Sequence, residues 1–245
     1  MIGSNILSFE NLTSTNTYAS GLLKSEVVQE GTIIRASFQS AGRGQTGNGW
    51  ESEAGKNLLI SIILYPTAIS PADQFLISRV ISLGITDFLG KELQECKIKW
   101  PNDIYVRNDK IAGILIENSV MDNKLVSSIV GIGLNINQRK FTGNAPNPVS
   151  MTILTGKEYD TDNCLTELSM AIDKRYDLLM KGKNEIICSD YISKLYRKNE
   201  WFGFRDKDGI FKGKIVSVTE EGLLLIEHPD RKIREYAFKE VDFIL

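Results

Sequence analysis

At 245 residues the chain is long enough for one large domain with a small appendage, and it can bury roughly 70–75% of its unfolded surface. A formal net charge of −2, with 24% charged and 42% hydrophobic residues, excludes a general drive toward nucleic acid or anionic membrane, so any acidic ligand must be held locally. Three scattered cysteines without C-x-x-C spacing argue against a disulfide framework or a cysteine zinc site and fit a reducing cytoplasm, and one histidine leaves little to build a Ser-His-Asp or multi-histidine metal centre from.

The opening "MIGSNILSFENL" lacks a basic segment followed by a long apolar run, so a cytoplasmic chain with neither export signal nor membrane span is expected. "SFENLTSTNTYASGLLKSE" reads as a short extended piece, then a helix capped by Ser14 or Thr15 ahead of Tyr18, Leu22 and Leu23. "GTIIRASFQS" is a β-branched, aromatic strand, and "NLLISIILY" is a second strand, buried on both faces by its near-continuous apolar run. "ISPADQFLISRVISLGITDFLGKELQE" is the clearest helix, with Ser70 as cap, Pro71 in the first turn and Asp73 completing the capping pattern. "CKIKW" is a strand running into the turn "PND", and "KIAGILIENSV" with "LVSSIVGIGLNIN" forms a hairpin through "MDNK". Two helical patterns follow between residues 161 and 197. Beyond residue 197 five short strands separated by "DKDG", "TEEG" and "HPDR" suggest a small barrel. The domains are therefore expected to be 1–196, a mixed sheet covered by helices, and 197–245. His228 falls at a strand end running into a Pro-Asp turn, a poor setting for a catalytic centre.

Three segments combine glycine, a cation or asparagine, and a strand end. "SFQSAGRGQTGNGWES" holds Gln39, Arg43 and Trp50; it is either a surface loop or a loop whose Arg43 and backbone N–H groups fold over an anion, with Trp50 stacking on a base or capping the core. In "KWPNDIYVRNDKIAGILIE", Lys99 reads as an exposed strand residue, Trp100 as core and residues 101–103 as a turn, while Lys110 sits where a sheet end can hold a phosphate or carboxylate. In "GIGLNIN", Gly131 and Gly133 leave one strand face bare for another element or a ligand, and Asn135 offers both a donor and an acceptor. None of these is a P-loop or a Rossmann fingerprint.

Taken together, "STN" at residues 14–16, Gln39 with "GRG" at 42–44, "KWPND" at 99–103, "KIAGILIE" from Lys110 and "GIGLNIN" closely resemble the biotin protein ligases in order and spacing. The most specific part is "KWPND" followed, eleven positions after its lysine, by "K-x-A-G-I-L". The resemblance implies an α+β fold of the class II synthetase-like kind, a mixed sheet packed with helices plus a C-terminal SH3-like barrel. It also implies the short form of the family, without the DNA-binding domain that some members carry, and so no nucleic-acid partner and no membrane. The implied reaction joins biotin and ATP, delivered with Mg2+, into biotinyl-5′-AMP and passes the biotinyl group to a lysine of a biotin carboxyl carrier domain, as in acetyl-CoA carboxylase. The enzyme is expected as a monomer or homodimer.

By the same resemblance Lys110 and Arg43 are the catalytic pair, Lys110 touching both biotin carboxylate and phosphate. Ser14, Thr15, Asn16 and Gln39 hold the biotin head, with Gly42 and Gly113 allowing close approach. Trp50, Asn102, Gly133 and Asn135 take the adenylate. No metal-ligating residue is implied, and Asp103 is expected as a turn residue or an aid to the acceptor lysine. Where many members carry arginines in the loop, this chain has Gln45 and Asn48, which implies weaker adenylate retention or retention resting on Lys110 and Arg43. A lipoate or octanoate ligase or transferase of the same superfamily, and a non-catalytic biotin or nucleotide sensor, are the alternatives.

Overall fold

The computed structural model describes residues 1–45, 49–143 and 147–244. Seven strands form the larger sheet: β1 (Ile6–Leu12), β2 (Ile33–Gln39), β3 (Leu58–Leu64), β4 (Cys96–Lys99), β5 (Asp103–Val106), β6 (Asp109–Met121) and β7 (Lys124–Leu134). Their order is β1-β2-β3-β7-β6-β5-β4; β1 and β2 run parallel and every other pair is antiparallel, so the sheet is mixed as expected. β6 and β7 are joined through Asp122 and Asn123, both at positive φ, the conformation that a two-residue hairpin turn requires and that Asp and Asn tolerate.

Alternation along β3 explains its apolar run. Leu58, Ile60, Ile62 and Leu64 pack with helices α2 (Phe75–Leu89) and α4 (Thr161–Met180), while Ile63 packs on the other face with Ala19 of α1 (Thr15–Ser25). Two of these helices, α1 and α4, start where a side chain satisfies orphan backbone donors. The Ser14 hydroxyl accepts from the Thr17 N–H, and Asp160 accepts from those of Asp162 and Asn163. The second helix departs from expectation. Ser70 caps a 3₁₀ turn, Pro71–Asp73, by accepting from the Ala72 N–H, and α2 begins only at Phe75. Proline in the first turn and the tight cap close i→i+3 bonds before the α pattern can start.

Two short elements have no counterpart in the sequence pattern: β5, which follows the "PN" turn at once, and α3 (Met151–Thr155), which Ser150 caps. The helical region resolves into α4 and α5 (Asn184–Ser193). The five expected C-terminal strands, β8 (Trp201–Asp206), β9 (Gly209–Val218), β10 (Leu224–Glu227), β11 (Ile233–Tyr236) and β12 (Asp242–Phe243), form a separate antiparallel sheet in the order β11-β10-β9-β8-β12, consistent with an SH3-like unit. One buried cluster joins both sheets, from Ile60 and Leu83 through to Phe204 and Ile226. No helix among the described residues is long and apolar enough to cross a membrane.

Candidate active site

A cavity opens on the α1 face of the larger sheet, at the N-terminus of that helix. β3, β7 and β6 form its floor and the loop after β2 one wall. Ser14, Thr15, Asn16, Gln39, Arg43, Trp50, Asn102, Lys110, Gly113 and Gly133 all line it, so the three sequence segments meet in one place. Gln45 lines it as well; Asn48 lies outside the described residues.

Its floor carries a chain of buried polar contacts. Gln39 Oε1 accepts from the Thr15 N–H at 2.7 Å and from the Thr15 hydroxyl at 3.1 Å. The fully buried Ser61 hydroxyl lies 2.7 Å from Thr15 Oγ1 and 2.6 Å from Asn16 Oδ1. Asn16 Nδ2 donates to Glu117 Oε2 at 2.8 Å and to the Leu115 carbonyl at 3.3 Å. Because a carboxylate and a backbone carbonyl can only accept while the buried Ser61 hydroxyl can donate to Oδ1, the amide of Asn16 has one orientation.

The bare strand faces receive protein side chains. A methyl group at Gly131 would fall well under 3.0 Å from Asn16 Oδ1, and one at Gly133 equally close to the Trp50 indole; at Gly113 it would stand 2.9 Å from Trp50 Cζ3. Gly131 faces Ser61 across the β3–β7 register, and Gly133 faces Gly113 across β7–β6, so the missing side chains form one continuous trough. Trp50 lies in it with its indole Nε1 buried and unpartnered among the described residues.

Each cation of the cavity has a carboxylate. Lys110 Nζ is 2.7 Å from Asp103 Oδ1 and 5.8 Å from the centre of a Trp50 ring. Arg43 Nη2 donates to Glu117 Oε1 at 2.8 Å. Asn102 Nδ2 donates to the Ile114 carbonyl at 2.6 Å and its own carbonyl accepts the Ile114 N–H at 2.9 Å, which ties the "PND" turn to β6.

Two expected site residues, Gly42 and Asn135, fall outside the cavity lining, and Lys99 departs from its expected exposure. Gly42 does not line the cavity: a methyl group there would stand 2.5 Å from the Trp50 carbonyl oxygen, so its bareness serves the loop's own closure, where its carbonyl accepts the Trp50 N–H. Asn135 lies buried beyond the end of β7, also outside the cavity lining, with Nδ2 donating to the Val149 carbonyl and Oδ1 unpartnered among the described residues. Lys99 is not an exposed strand residue; its ammonium lies 5.0 Å from the ring centres of both Tyr105 and Phe243, and burial pushes its pKa down. His228 sits apart in the second sheet, buried, with Nε2 2.8 Å from the Tyr236 hydroxyl and its ring stacked on Phe211.

Sequence reasoning missed Ser61 and Glu117. Both had a signal: a lone serine in a strand expected to be apolar on both faces, and a carboxylate four residues after Gly113, hence on the same face of β6.

The fold that carries this cavity is that of solved biotin protein ligases. The enzyme from Aquifex aeolicus in complex with biotin and ATP superimposes with a TM-score of 0.81 at 26% identity, covering 98% of this chain and 99% of that one. The model of the Biotin/lipoate A/B protein ligase family matches residues 8–135. Among curated relatives, the bifunctional ligase/repressor BirA of Bacillus subtilis (strain 168) is 29% identical over 93% of this chain and 70% of its own length. A biotin--[acetyl-CoA-carboxylase] ligase of Paracoccus denitrificans is 30% identical over 80% of this chain and 84% of its own. The chain belongs to the biotin/lipoate A/B protein ligase family and, within it, to the biotin protein ligases.

Proposed function

We propose that the cavity condenses biotin with MgATP to biotinyl-5′-AMP and then passes the biotinyl group to a lysine of a biotin carboxyl carrier domain. The biotin carboxylate oxygen attacks the α-phosphorus and pyrophosphate leaves; the neutral acceptor amine then attacks the carbonyl carbon of the mixed anhydride, giving an amide, AMP and a proton. The first step brings two anions together, at a cost of about 4 kcal/mol for unit charges 4 Å apart at an effective dielectric of 20. Lys110 and Arg43, held by Asp103 and Glu117, are the cations that offset this repulsion, and their shared cavity is the observation that carries the reading.

Ser14, Thr15, Asn16 and Gln39 form the polar end suited to the biotin head, and Trp50 with Asn102 stands beside Lys110, where the adenylate would lie. Magnesium arrives with the triphosphate and keeps mainly phosphate and water ligands. Residues 197–245 form a second unit that aids ATP or acceptor engagement. With Gln45 and Asn48 standing where many members carry arginines, retention of the adenylate is weaker or rests on Lys110 and Arg43.

ATP–pyrophosphate exchange on the purified chain tests the reading. Exchange with biotin, and none with lipoate or octanoate, is expected; exchange with lipoate or octanoate alone would assign the cavity to the other branch of the family, and biotin binding without exchange would make the chain a sensor.

A further inference from the structure

We propose that Glu117 is a positioning residue that couples the two ends of the cavity, tying the amide of Asn16 at the biotin end to the guanidinium of Arg43 on the loop. The inference rests on the function proposed above and concerns how this chain's own residues hold that site. Glu117 Oε1 accepts from Arg43 Nη2 at 2.8 Å; Oε2 accepts from Asn16 Nδ2 at 2.8 Å and lies 3.5 Å from Arg43 Nη1. Both neighbours present donors: arginine has no acceptor at all, and the oxygen of Asn16 is turned to Ser61. Only a group that accepts on both sides satisfies the pair, which is what a carboxylate does and a carboxamide does not.

The connections run further in both directions. From Asn16 they pass through Ser61 to Thr15 and Gln39, and from Arg43 through its backbone pairing with Gly49 to Trp50. A carboxylate between them makes the placement of the Arg43 guanidinium and of the biotin-end amide interdependent.

Calorimetric titration of the full chain with biotin, without nucleotide, measures this together with exchange kinetics. Glu117→Gln should weaken biotin binding about tenfold and, because it also releases Arg43, lower the exchange kcat at saturating biotin. Arg43→Ala with Glu117→Gln should be less impaired in biotin binding than the product of the two single effects. Biotin affinity unchanged in Glu117→Gln, or strictly multiplicative effects in the double variant, would overturn the coupling. If Glu117→Gln lowers the melting temperature enough to confuse binding, Glu117→Asp, which keeps the charge but draws it back by one methylene, should still weaken biotin binding with unchanged melting; full affinity there overturns the proposal too. A wild-type chain that binds no biotin would instead overturn the functional reading, and this inference with it.

Discussion

A methyl group at Gly133 would fall inside the Trp50 indole, and backbone on both sides of the strand leaves it no room to withdraw. Gly133→Ala must therefore unseat the tryptophan, at a cost of about 1–3 kcal/mol in folding stability, and should raise the KM for ATP in the exchange assay. Urea unfolding beside that assay checks both effects; a variant of wild-type stability and KM would show that the trough is not needed. Lys110→Met removes the cation nearest Trp50 and leaves Asp103 unpaired, so adenylation should fall roughly a hundredfold or more. Steady exchange rates in that variant would take Lys110 out of the reaction. At this scale the sequence exposed the cations and the glycines, because their types are unusual where they stand. It did not expose what fills the trough: Trp50 is many residues away from Gly113 and Gly133, and only the folded register brings them together. The polar chain through Ser61 was equally hidden, since a serine in an apolar strand announces a partner without naming it.

The second sheet holds a titrating group that the cavity does not use. Burial and the nearby Arg234 push the His228 pKa below its ordinary 6.5, against a smaller opposing pull from Asp230 and Asp206, while Tyr236 bonds the ring and passes on to Asp206. Because the folded state binds the proton less readily than the unfolded chain, this contribution is complete above about pH 6.5 and shrinks as the pH falls toward the depressed value. Urea midpoints should drop between pH 7 and pH 5.5, and His228→Gln should flatten that part of the profile; an equal slope in both proteins would assign the effect elsewhere. Most elements were legible from periodicity and capping residues. The losses were elements of five residues or fewer, β5 and α3, and the start of α2, where a capping serine and a proline describe a 3₁₀ turn as well as an α-helix.

At the scale of the molecule the two sheets meet at the turn between β9 and β10. The Trp100 indole N–H donates to the Gly222 carbonyl at 2.8 Å, and a methyl group at Gly222 would stand 2.5 Å from the Phe75 ring. Arg79, almost fully buried, donates to the carbonyl of Thr219 and contacts Cys188 Sγ, with its guanidinium over the rings of Phe75 and Tyr191. Arg79→Met leaves buried carbonyl oxygens without a donor and should cost about 2–4 kcal/mol. In the wild-type chain, urea unfolding followed by circular dichroism and by tryptophan emission should give one coincident transition; two separated transitions would show the sheets to be independent. The run of short C-terminal strands was readable from the change of texture, but their fastening to the larger sheet was not, because a lone arginine in a helix pattern looks like a surface residue. The trough under Trp50 has an optical consequence. Trp100 is clamped at the junction of the sheets and Trp201 is 45% exposed, so neither indole touches the cavity. Of the three indoles only Trp50 lines the cavity, so tryptophan emission should shift as biotin and ATP are added, an unlabelled gauge of occupancy; an unchanged spectrum would place the occupied site elsewhere.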